Sequence, residues 1–257
     1  IGRRPFRSPH HSVSDAGLIG GGTLPRPGEV SLAHNGVLFL DELPEFRKHV
    51  LEMLRQPLED GVVTIARAQG SVTFPSRFML VSAMNPCPCG YLGDVDNRCH
   101  CTEQHIRRYR SRISGPLLDR IDMHIEVSRP DFDKAHEKSD TVTSAAVREI
   151  VNRAQGIQAQ RFGSHSRIFA NAQMGVREID RYCQINLDAK RLLAKSVEHL
   201  GLSMRAWHKI LKVARTIADM ADVPDIATSH ISEAVQFLRV EFLNVIHLNI
   251  AAMKHAC

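Results

Sequence analysis

The chain has 257 residues and a mass of 28.8 kDa, enough for one large domain or two modest ones. Hydrophobic residues make up 43% and charged residues 24%, a globular composition that excludes a disordered chain, a collagen-like chain and a polytopic membrane protein. The net charge is +5, and 25 arginines against 8 lysines favour a phosphate-bearing partner, although GC-rich coding gives the same bias.

The first half of the chain alternates short strands and helices. Residues 1–35 are rich in Gly, Pro, Ser and His, which predicts mostly loop with a short helix. The uninterrupted apolar run of residues 36–40 predicts a strand buried on both faces, as in a parallel sheet. The remaining predicted elements are a helix over 46–58, a hairpin of 61–67 and 71–74 that turns at Ala68-Gln69-Gly70, a second buried strand over 78–82, a basic helix over 103–113 and a strand over 121–127.

The second half of the chain has helical periodicity. The helices predicted after residue 130 span 142–161, 176–184, 187–200, 204–221 and 229–238. Gly201 stands where a helix C-cap belongs and Ser203 where the next N-cap belongs. The most apolar stretch, 235–253, contains several ionisable side chains, so we expect no membrane span and place the protein in the cytoplasm.

Polar side chains end both predicted buried strands. Asp41 and Glu42 directly follow the first strand, at its carboxyl end, where α/β sheets bind ligands. In P-loop ATPases an Asp in this place helps to hold Mg²⁺ and the adjacent Glu polarises the attacking water, whereas the alternative is an ordinary charged turn. Asn85 ends the second strand, where an amide can orient the same water or simply form a turn.

Four of the six cysteines stand close together in one predicted loop: Cys87, Cys89, Cys99 and Cys101. Two short pairs can each bind one edge of a Zn²⁺ tetrahedron, and four thiolates leave no open position, so such a zinc would be structural. Free thiols or redox chemistry are the alternative. His100 is interpreted as a bystander, and so are His10 and His11.

The predicted helix that follows the cysteine loop is strongly basic over residues 105–112. Such a helix can contact a nucleic-acid backbone through its arginines. A solvated face and a subunit interface explain the same composition, so the sequence leaves all three interpretations open.

Several dispersed motifs resemble one family when they are taken together. They are RPFRSPHH at residues 4–11, HNGVLFLDELPEF at 34–46, MNPCPCG at 84–90, SGPLLDRID at 114–122 and GLSMR at 201–205. They are similar to motifs of the magnesium-chelatase-subunit-like AAA+ ATPases of the ComM/YifB competence type. The likeness extends over nearly the whole chain, from about residue 2 to residue 236.

The resemblance implies a role for individual residues. Asp41 and Glu42 would form the Walker B motif, with Asp41 on Mg²⁺, and Asn85 would be sensor 1. Arg120 would be the arginine finger and Arg205 the sensor 2 arginine, which contacts nucleotide. ATP and Mg²⁺ are therefore the implied cofactors.

The resemblance also implies an assembly and a partner. The family forms rings, so a homo-oligomer, a hexamer, is expected, with ATP sites between subunits. The hairpin of residues 61–75 would point towards the central pore, with Arg67 at its tip tracking DNA. The family is linked to natural transformation as a branch-migration helicase.

The arginines also permit other interpretations when they are considered without the family. Arg120 closes a short helical turn at an expected exposed position, from which it can reach a neighbouring subunit or pair with Asp119 or Asp122. Arg112 is a second finger candidate. Arg205 lies in a first helical turn, where the dipole disfavours a cation, so an anionic partner such as phosphate would explain it.

The sequence departs from the family pattern in two places. It contains no Gly-x-x-x-x-Gly-Lys-Ser/Thr, the loop that cradles phosphates, so the chain is expected to be the C-terminal part of a longer protein that binds ATP poorly alone. Beyond residue 236 we find no correspondence with the family, and the tail is either a genuine extension or a shifted reading frame.

We therefore predict an α/β fold: a partial AAA+ core with a parallel sheet and an inserted hairpin over residues 1–130, an all-helical lid over 131–240 and an atypical tail over 241–257. The predicted function is that of an ATP-dependent DNA helicase as part of the intact protein. A chelatase-type or protein-remodelling ATPase is the first alternative. A non-catalytic, zinc-stabilised nucleic-acid-binding module is the second.

Overall fold

The computed structural model describes residues 4–68, 70–93, 98–127, 142–163 and 168–238 of the chain. The chain divides into two compact units, Ile1–Ile121 and Asp122–Cys257. The predicted boundary near residue 130 and the predicted tail lie outside the described residues. Among the residues described, no helix combines the length and the apolar character needed to cross a membrane.

The first unit is a mixture of short strands and helices. In chain order these are β1 (Phe6–Arg7), α1 (Asp15–Leu18), β2 (Gly20–Gly21), β3 (Arg26–Pro27), α2 (Glu29–Leu32), β4 (Val37–Leu40), α3 (Lys48–Met53), α4 (Arg55–Asp60), β5 (Val62–Arg67), β6 (Gly70–Pro75), β7 (Met79–Ser82), α5 (Glu103–Arg110) and α6 (Gly115–Leu118). A 3₁₀ turn, Leu43–Glu45, lies between β4 and α3. Residues 1–35 were predicted to be mostly loop, and residues 4–35, the part of this stretch that the structure describes, hold only strands of two residues and helices of four.

The central sheet of the first unit is parallel. β4 lies between β1 and β7 and pairs with both in parallel, with Leu40 opposite Ser82 at its carboxyl end. The parallel arrangement and the positions of both strands agree with the prediction, but the predicted burial was wrong for β7, where Met79 is 63% and Val81 40% exposed, and for one face of β4. Leu38 and Leu40 are fully buried, whereas Phe39 on the other face is half-buried and stacks on Phe6 instead of on a helix.

The predicted helix over residues 46–58 is interrupted. α3 ends at Met53 and α4 starts at Arg55, so Leu54 joins two short helices. Pro57 explains the break, because proline lacks an N–H and its ring collides with the carbonyl four residues earlier, that of Met53. α4 ends at Asp60 and is capped by Gly61, whose φ of 67° is the left-handed conformation that glycine adopts readily.

The predicted hairpin is confirmed as β5 and β6, which pair antiparallel from Val62 opposite Pro75 to Arg67 opposite Gly70. Gln69, in the turn, lies outside the described residues. The predicted strand over residues 121–127 is wrong, because these residues form no regular structure and Val127 is 86% exposed. A strand needs a neighbour for its backbone, and the N–H of His124 bonds instead to the Phe237 carbonyl at 2.7 Å.

The second unit is helical, as predicted. Its helices are α7 (Ser144–Phe162), α8 (Val176–Tyr182), α9 (Leu187–His199), α10 (Met204–Met220) and α11 (Thr228–Gln236). Both predicted caps are present: Ser203 Oγ accepts from the Ala206 N–H at 3.4 Å, and Gly201 takes a φ of 60° after α9. Leu193, Ile210 and Ile231 are fully buried where α9, α10 and α11 pack together.

A buried ionic network crosses the second unit. Asp219 is fully buried, and its carboxylate accepts hydrogen bonds from Arg161, Arg215 and Asn171. Arg215 also donates to the carbonyls of Pro224 and Val223, at 2.6 and 2.8 Å. Arg215 and Asp219 stand four residues apart on α10, but Arg161 on α7 and Asn171 in a 3₁₀ turn come from distant segments, so no local pattern identified the network.

Candidate functional site

The polar residues that end β4 and β7 lie at one edge of the sheet. The Ala83 N–H donates to the Leu40 carbonyl at 3.0 Å, and the Leu43 N–H donates to the Ala83 carbonyl at 2.9 Å. Ala83 is thus hydrogen-bonded both to the residue before the Asp41-Glu42 pair and to the residue after it. Ala83 itself lies two residues before Asn85. Asp41, Glu42 and Asn85 are all exposed to solvent.

The backbone at Glu42 is strained. Glu42 has φ 51° and ψ 46°, the left-handed conformation that a non-glycine residue seldom adopts. Its N–H donates to Asp41 Oδ1 at 2.8 Å, and its carboxylate Oε2 lies 3.1 Å from His11 Nδ1. The His11 ring in turn contacts Phe46 edge-on. His11, interpreted as a bystander from the sequence, therefore contacts the acidic pair, and no local pattern linked the two.

The edge offers ligands suited to a hard cation. The carboxylates of Asp41 and Glu42 and the amide of Asn85 present oxygen atoms, the ligand type that Mg²⁺ prefers. Their exposure leaves room for a phosphate-bearing ligand. The roles of these three residues remain predictions.

Arg120 is placed differently from the prediction. Its side chain is only 14% exposed, and its guanidinium pairs with Glu59 and donates to the Pro116 carbonyl at 2.7 Å. The predicted exposed position was wrong, because α4 brings Glu59 to Arg120 and covers it. Arg112 is more exposed, at 46%, and donates to Glu45 Oε2 and to the Pro44 carbonyl, both at 2.9 Å.

The four cysteines of the predicted cluster lie together. Their sulfur atoms all fall within 4.8 Å of one another, and the Cys87–Cys89, Cys89–Cys99 and Cys87–Cys99 separations are 3.3, 3.6 and 3.7 Å. A zinc tetrahedron with Zn–S bonds of about 2.3 Å has S···S edges of about 3.8 Å, whereas a disulfide needs about 2.05 Å. The cluster therefore matches a metal tetrahedron, and none of its four cysteines forms a disulfide.

The surroundings of the cluster favour a thiolate at Cys89, whereas the pKa of Cys99 is raised and that of Cys101 is raised to about 12. Cys87 is fully buried and the other three sulfurs are half-buried. A backbone hydrogen bond from Tyr91 is the main cause that lowers the pKa of Cys89 to about 6, and hydrogen bonds from Cys87 and Cys101 act in the same direction. Because the thiolate is the metal-binding form, this environment suits a metal ligand. His100 is not a member of the group, which agrees with its interpretation as a bystander.

The basic helix α5 is partly occupied by internal contacts. Arg110 donates from Nε and Nη2 to the Pro86 carbonyl, at 3.2 and 3.0 Å. Arg107 pairs with Glu103 on the exposed face of the helix. Burial, followed by the Glu45 charge, raises the pKa of the Tyr109 phenol, and a hydrogen bond with the Asn85 backbone opposes the rise. These inward contacts were not anticipated from the composition of the helix.

Arg67 and Arg205 are the two remaining predicted site residues. Arg67 ends β5 at the turn of the hairpin, is exposed and donates from Nε to the Gly22 carbonyl at 3.3 Å. Arg205 is exposed in the first turn of α10, in the second unit. The roles of both arginines remain predictions.

Comparison with protein families identifies relatives over almost the whole chain. A family model described as magnesium chelatase, subunit ChlI, matches residues 1–135, and the model described as magnesium chelatase, subunit ChlI C-terminal, matches residues 141–238.

Individual relatives agree with that match. The competence protein ComM of Haemophilus influenzae is 49% identical over 236 residues, which are 91% of this chain and 45% of ComM. YifB of Salmonella typhimurium is 44% identical over 247 residues, 96% of this chain and 47% of YifB. The DNA replication licensing factor mcm6 of Schizosaccharomyces pombe is 22% identical over 229 residues, 85% of this chain and 24% of mcm6. The chain spans about half the length of its ComM and YifB relatives.

Proposed function

The chain belongs to the magnesium chelatase ChlI family, and on that premise we propose that it forms part of an ATP-hydrolysing AAA+ motor. The observation that carries the proposal is the shared edge of the sheet. Asp41 and Glu42 leave β4 beside the segment that leads from β7 to Asn85, and Ala83 is bonded on both sides of the acidic pair. Ligands of open α/β sheets bind at this end of the strands.

Each residue of the edge has a proposed part in hydrolysis. Bound Mg²⁺ neutralises charge on the β- and γ-phosphates of ATP. Asp41 supplies a carboxylate oxygen for that ion. Glu42 accepts a hydrogen bond from the attacking water and polarises it, and Asn85 orients the same water. Arg205 keeps its proposed role as the sensor 2 arginine.

Arg120 is the proposed arginine finger. An arginine supplied by a neighbouring subunit raises the rate of phosphoryl transfer by roughly 10³–10⁵. Its guanidinium is bound to Glu59 and Pro116 within the chain, so it has to exchange these partners to reach a neighbour. Assembly into a ring would therefore be coupled to the release of Arg120 from Glu59.

We propose that the intact protein is a homo-oligomeric ring, a hexamer, in the cytoplasm, and that it moves along DNA. The similarity to a protein named for competence and to a replication licensing factor supports DNA as the partner. Arg67, exposed at the end of the hairpin, is the proposed DNA contact. A chelatase-type motor is the second candidate, because the matching family model is named for magnesium chelatase.

We also propose that the cysteine cluster holds a structural Zn²⁺. The four sulfur atoms have the spacing of a tetrahedron, and a fourth thiolate leaves no position for a reacting water. The zinc would therefore fix the loop and take no part in the chemistry.

The proposal is tested by measuring ATP hydrolysis of the protein extended upstream to the length of its ComM relatives, with and without DNA. Glu42→Gln should lower kcat by about 100-fold or more, because it removes the carboxylate that polarises water. Glu233→Gln, an exposed carboxylate on α11, is the matched control and should leave kcat unchanged.

The DNA dependence separates the candidate functions. Hydrolysis that DNA stimulates supports a DNA motor, and hydrolysis indifferent to DNA supports a chelatase-type or protein-remodelling motor. If the wild-type extended protein hydrolyses no ATP but binds DNA, the motor proposal is wrong and a zinc-stabilised binding module takes its place.

A further inference from the structure

The cysteine loop begins at the candidate site itself. Asn85, Pro86 and Cys87 are consecutive, and Cys87 is fully buried. The Gly90 N–H donates to the Cys87 carbonyl at 3.0 Å, which folds the loop back on itself. A Cβ placed on Gly90 would lie 3.9 Å from Cγ of Asn85, so the Asn85 side chain lies against the turn that carries Cys87 and Cys89.

Helix α5 contacts the same junction from the other end of the loop. Thr102, directly after Cys101, caps the helix by accepting from the His105 N–H at 3.3 Å. About two turns further along, the helix contacts the start of the loop. Tyr109 is buried against the Asn85 backbone, and Arg110 donates twice to the Pro86 carbonyl. Both ends of the cysteine loop are therefore joined through α5.

The residues after α5 extend this contact to the acidic strand end. Arg112 donates to the Pro44 carbonyl and to Glu45, in the 3₁₀ turn that begins immediately after Glu42. One continuous segment, residues 109–112, thus contacts the loop after β7 and the turn after β4.

We infer that a metal ion held by the four cysteines, together with Tyr109 and Arg110, positions Asn85 for ATP hydrolysis; the inference rests on the function proposed above. Four metal–thiolate bonds close the loop far more firmly than its hydrogen bonds alone. Fixing Cys87 fixes Asn85 two residues away. The cysteines, Tyr109 and Arg110 are positioning residues, because they act on the reaction only through Asn85.

The expected consequence of metal loss is a slower reaction with unchanged ATP affinity. A catalytic group displaced by about 1 Å can lose up to about 100-fold in rate. Asn85 is expected to matter for the attacking water and not for nucleotide binding. We therefore expect kcat to fall by about tenfold or more while KM for ATP stays within about twofold.

The test uses the upstream-extended protein and reads zinc content, kcat and KM. Tyr109→Phe keeps the ring but removes the oxygen, and Arg110→Ala removes the donors to Pro86. Both should retain one zinc per chain and lower kcat about tenfold with KM unchanged. Arg110→Lys should recover part of the rate. Arg107→Ala, on the exposed face of the same helix, is the matched control and should change none of the three readouts.

A combined variant tests whether the metal and the helix act through one residue. Cys99→Ser with Cys101→Ser should abolish zinc binding and lower kcat to a similar extent. Adding Tyr109→Phe should then cost little more, because groups that act as one unit are non-additive. Full additivity of the two losses would contradict a common action on Asn85.

A readout without catalysis completes the test. Amide hydrogen exchange of residues 83–90 should slow by about tenfold or more when zinc is added to metal-free protein. Equal kcat in the metal-free and zinc-loaded proteins, or normal kcat in both Tyr109→Phe and Arg110→Ala, would overturn the inference. If Glu42→Gln also leaves hydrolysis unchanged, the proposed function has failed instead.

Discussion

The two units of the chain differ in the burial of the ionic residues described above. In the second unit Asp219 is fully buried, and Arg161 and Arg215 bind its carboxylate. In the first unit Asp41 and Glu42 are exposed where a strand ends. Buried charges need fixed partners and so constrain packing, whereas exposed groups at a strand end can bind a ligand. The contrast separates ionic residues that hold the fold together from those that are candidates for function.

Removal of zinc should have the largest effect and should be confined to the first unit. A structural zinc adds part of its binding free energy to the stability of the fold that holds it. Chelation should lower the temperature at which the first unit unfolds, as measured by circular dichroism. The fluorescence transition of Trp207, the only tryptophan of the chain, should stay where it is because Trp207 lies in the second unit.

Two observations control the zinc prediction. Adding zinc back should return the unfolding transition of the first unit to its original position. Cys183→Ser, which changes a buried cysteine of the second unit, should leave the zinc content unchanged. A purified chain with fewer than about 0.3 zinc per molecule would contradict the proposed site.

Asp219→Ala should have the next largest effect. The variant leaves the Arg161 and Arg215 guanidinium groups without their shared carboxylate, which costs about 3–5 kcal/mol of unfolding free energy. Urea unfolding followed by Trp207 fluorescence measures the loss. Asp188→Ala breaks an exposed pair with Arg191 and should cost less than about 1 kcal/mol. Equal losses in the two variants would remove the distinction between buried and exposed ionic residues.

Ser203→Ala should have the smallest effect. Ser203 caps α10, and the loss of a capping oxygen costs about 1 kcal/mol. Trp207 lies in the first turns of the same helix and reports the change in urea unfolding. Ser203→Asn should restore most of the stability, because asparagine caps as well as serine does. An unchanged unfolding free energy in Ser203→Ala would show that the cap contributes nothing.

Local signals in the sequence predicted much of the fold. The helices of the second unit carry their apolar residues at helical spacing, and the strand of residues 36–40 and the hairpin are both present as predicted. The prediction of a strand over residues 121–127 was wrong. The apolar residues of this segment fit a strand, but a strand also needs a neighbouring strand to pair with, which the sequence does not identify. The prediction of one helix over residues 46–58 was wrong. Pro57 was expected only to mark the end of the helix, but it interrupts the helix near its middle, at Leu54.

The candidate site was predictable as a set of residues but not as a set of contacts. The cysteine pairs and the acidic strand end stand out by spacing. Contacts between distant residues do not stand out: Glu59, the partner of Arg120, lies 61 residues away from it, and Arg161 lies 58 residues from Asp219. Such contacts depend on tertiary packing, which no local pattern records.

The left-handed backbone at Glu42 lowers the stability of the fold, whereas the carboxylate at this position is proposed to serve activity. A residue with a side chain in that conformation lowers the free energy of unfolding by roughly 1 kcal/mol relative to glycine. A sequence selected for stability alone would drift to glycine at this position and lose the carboxylate. Glu42→Gly should therefore unfold at higher urea yet fail to hydrolyse ATP, a trade-off that marks a residue kept for its chemistry.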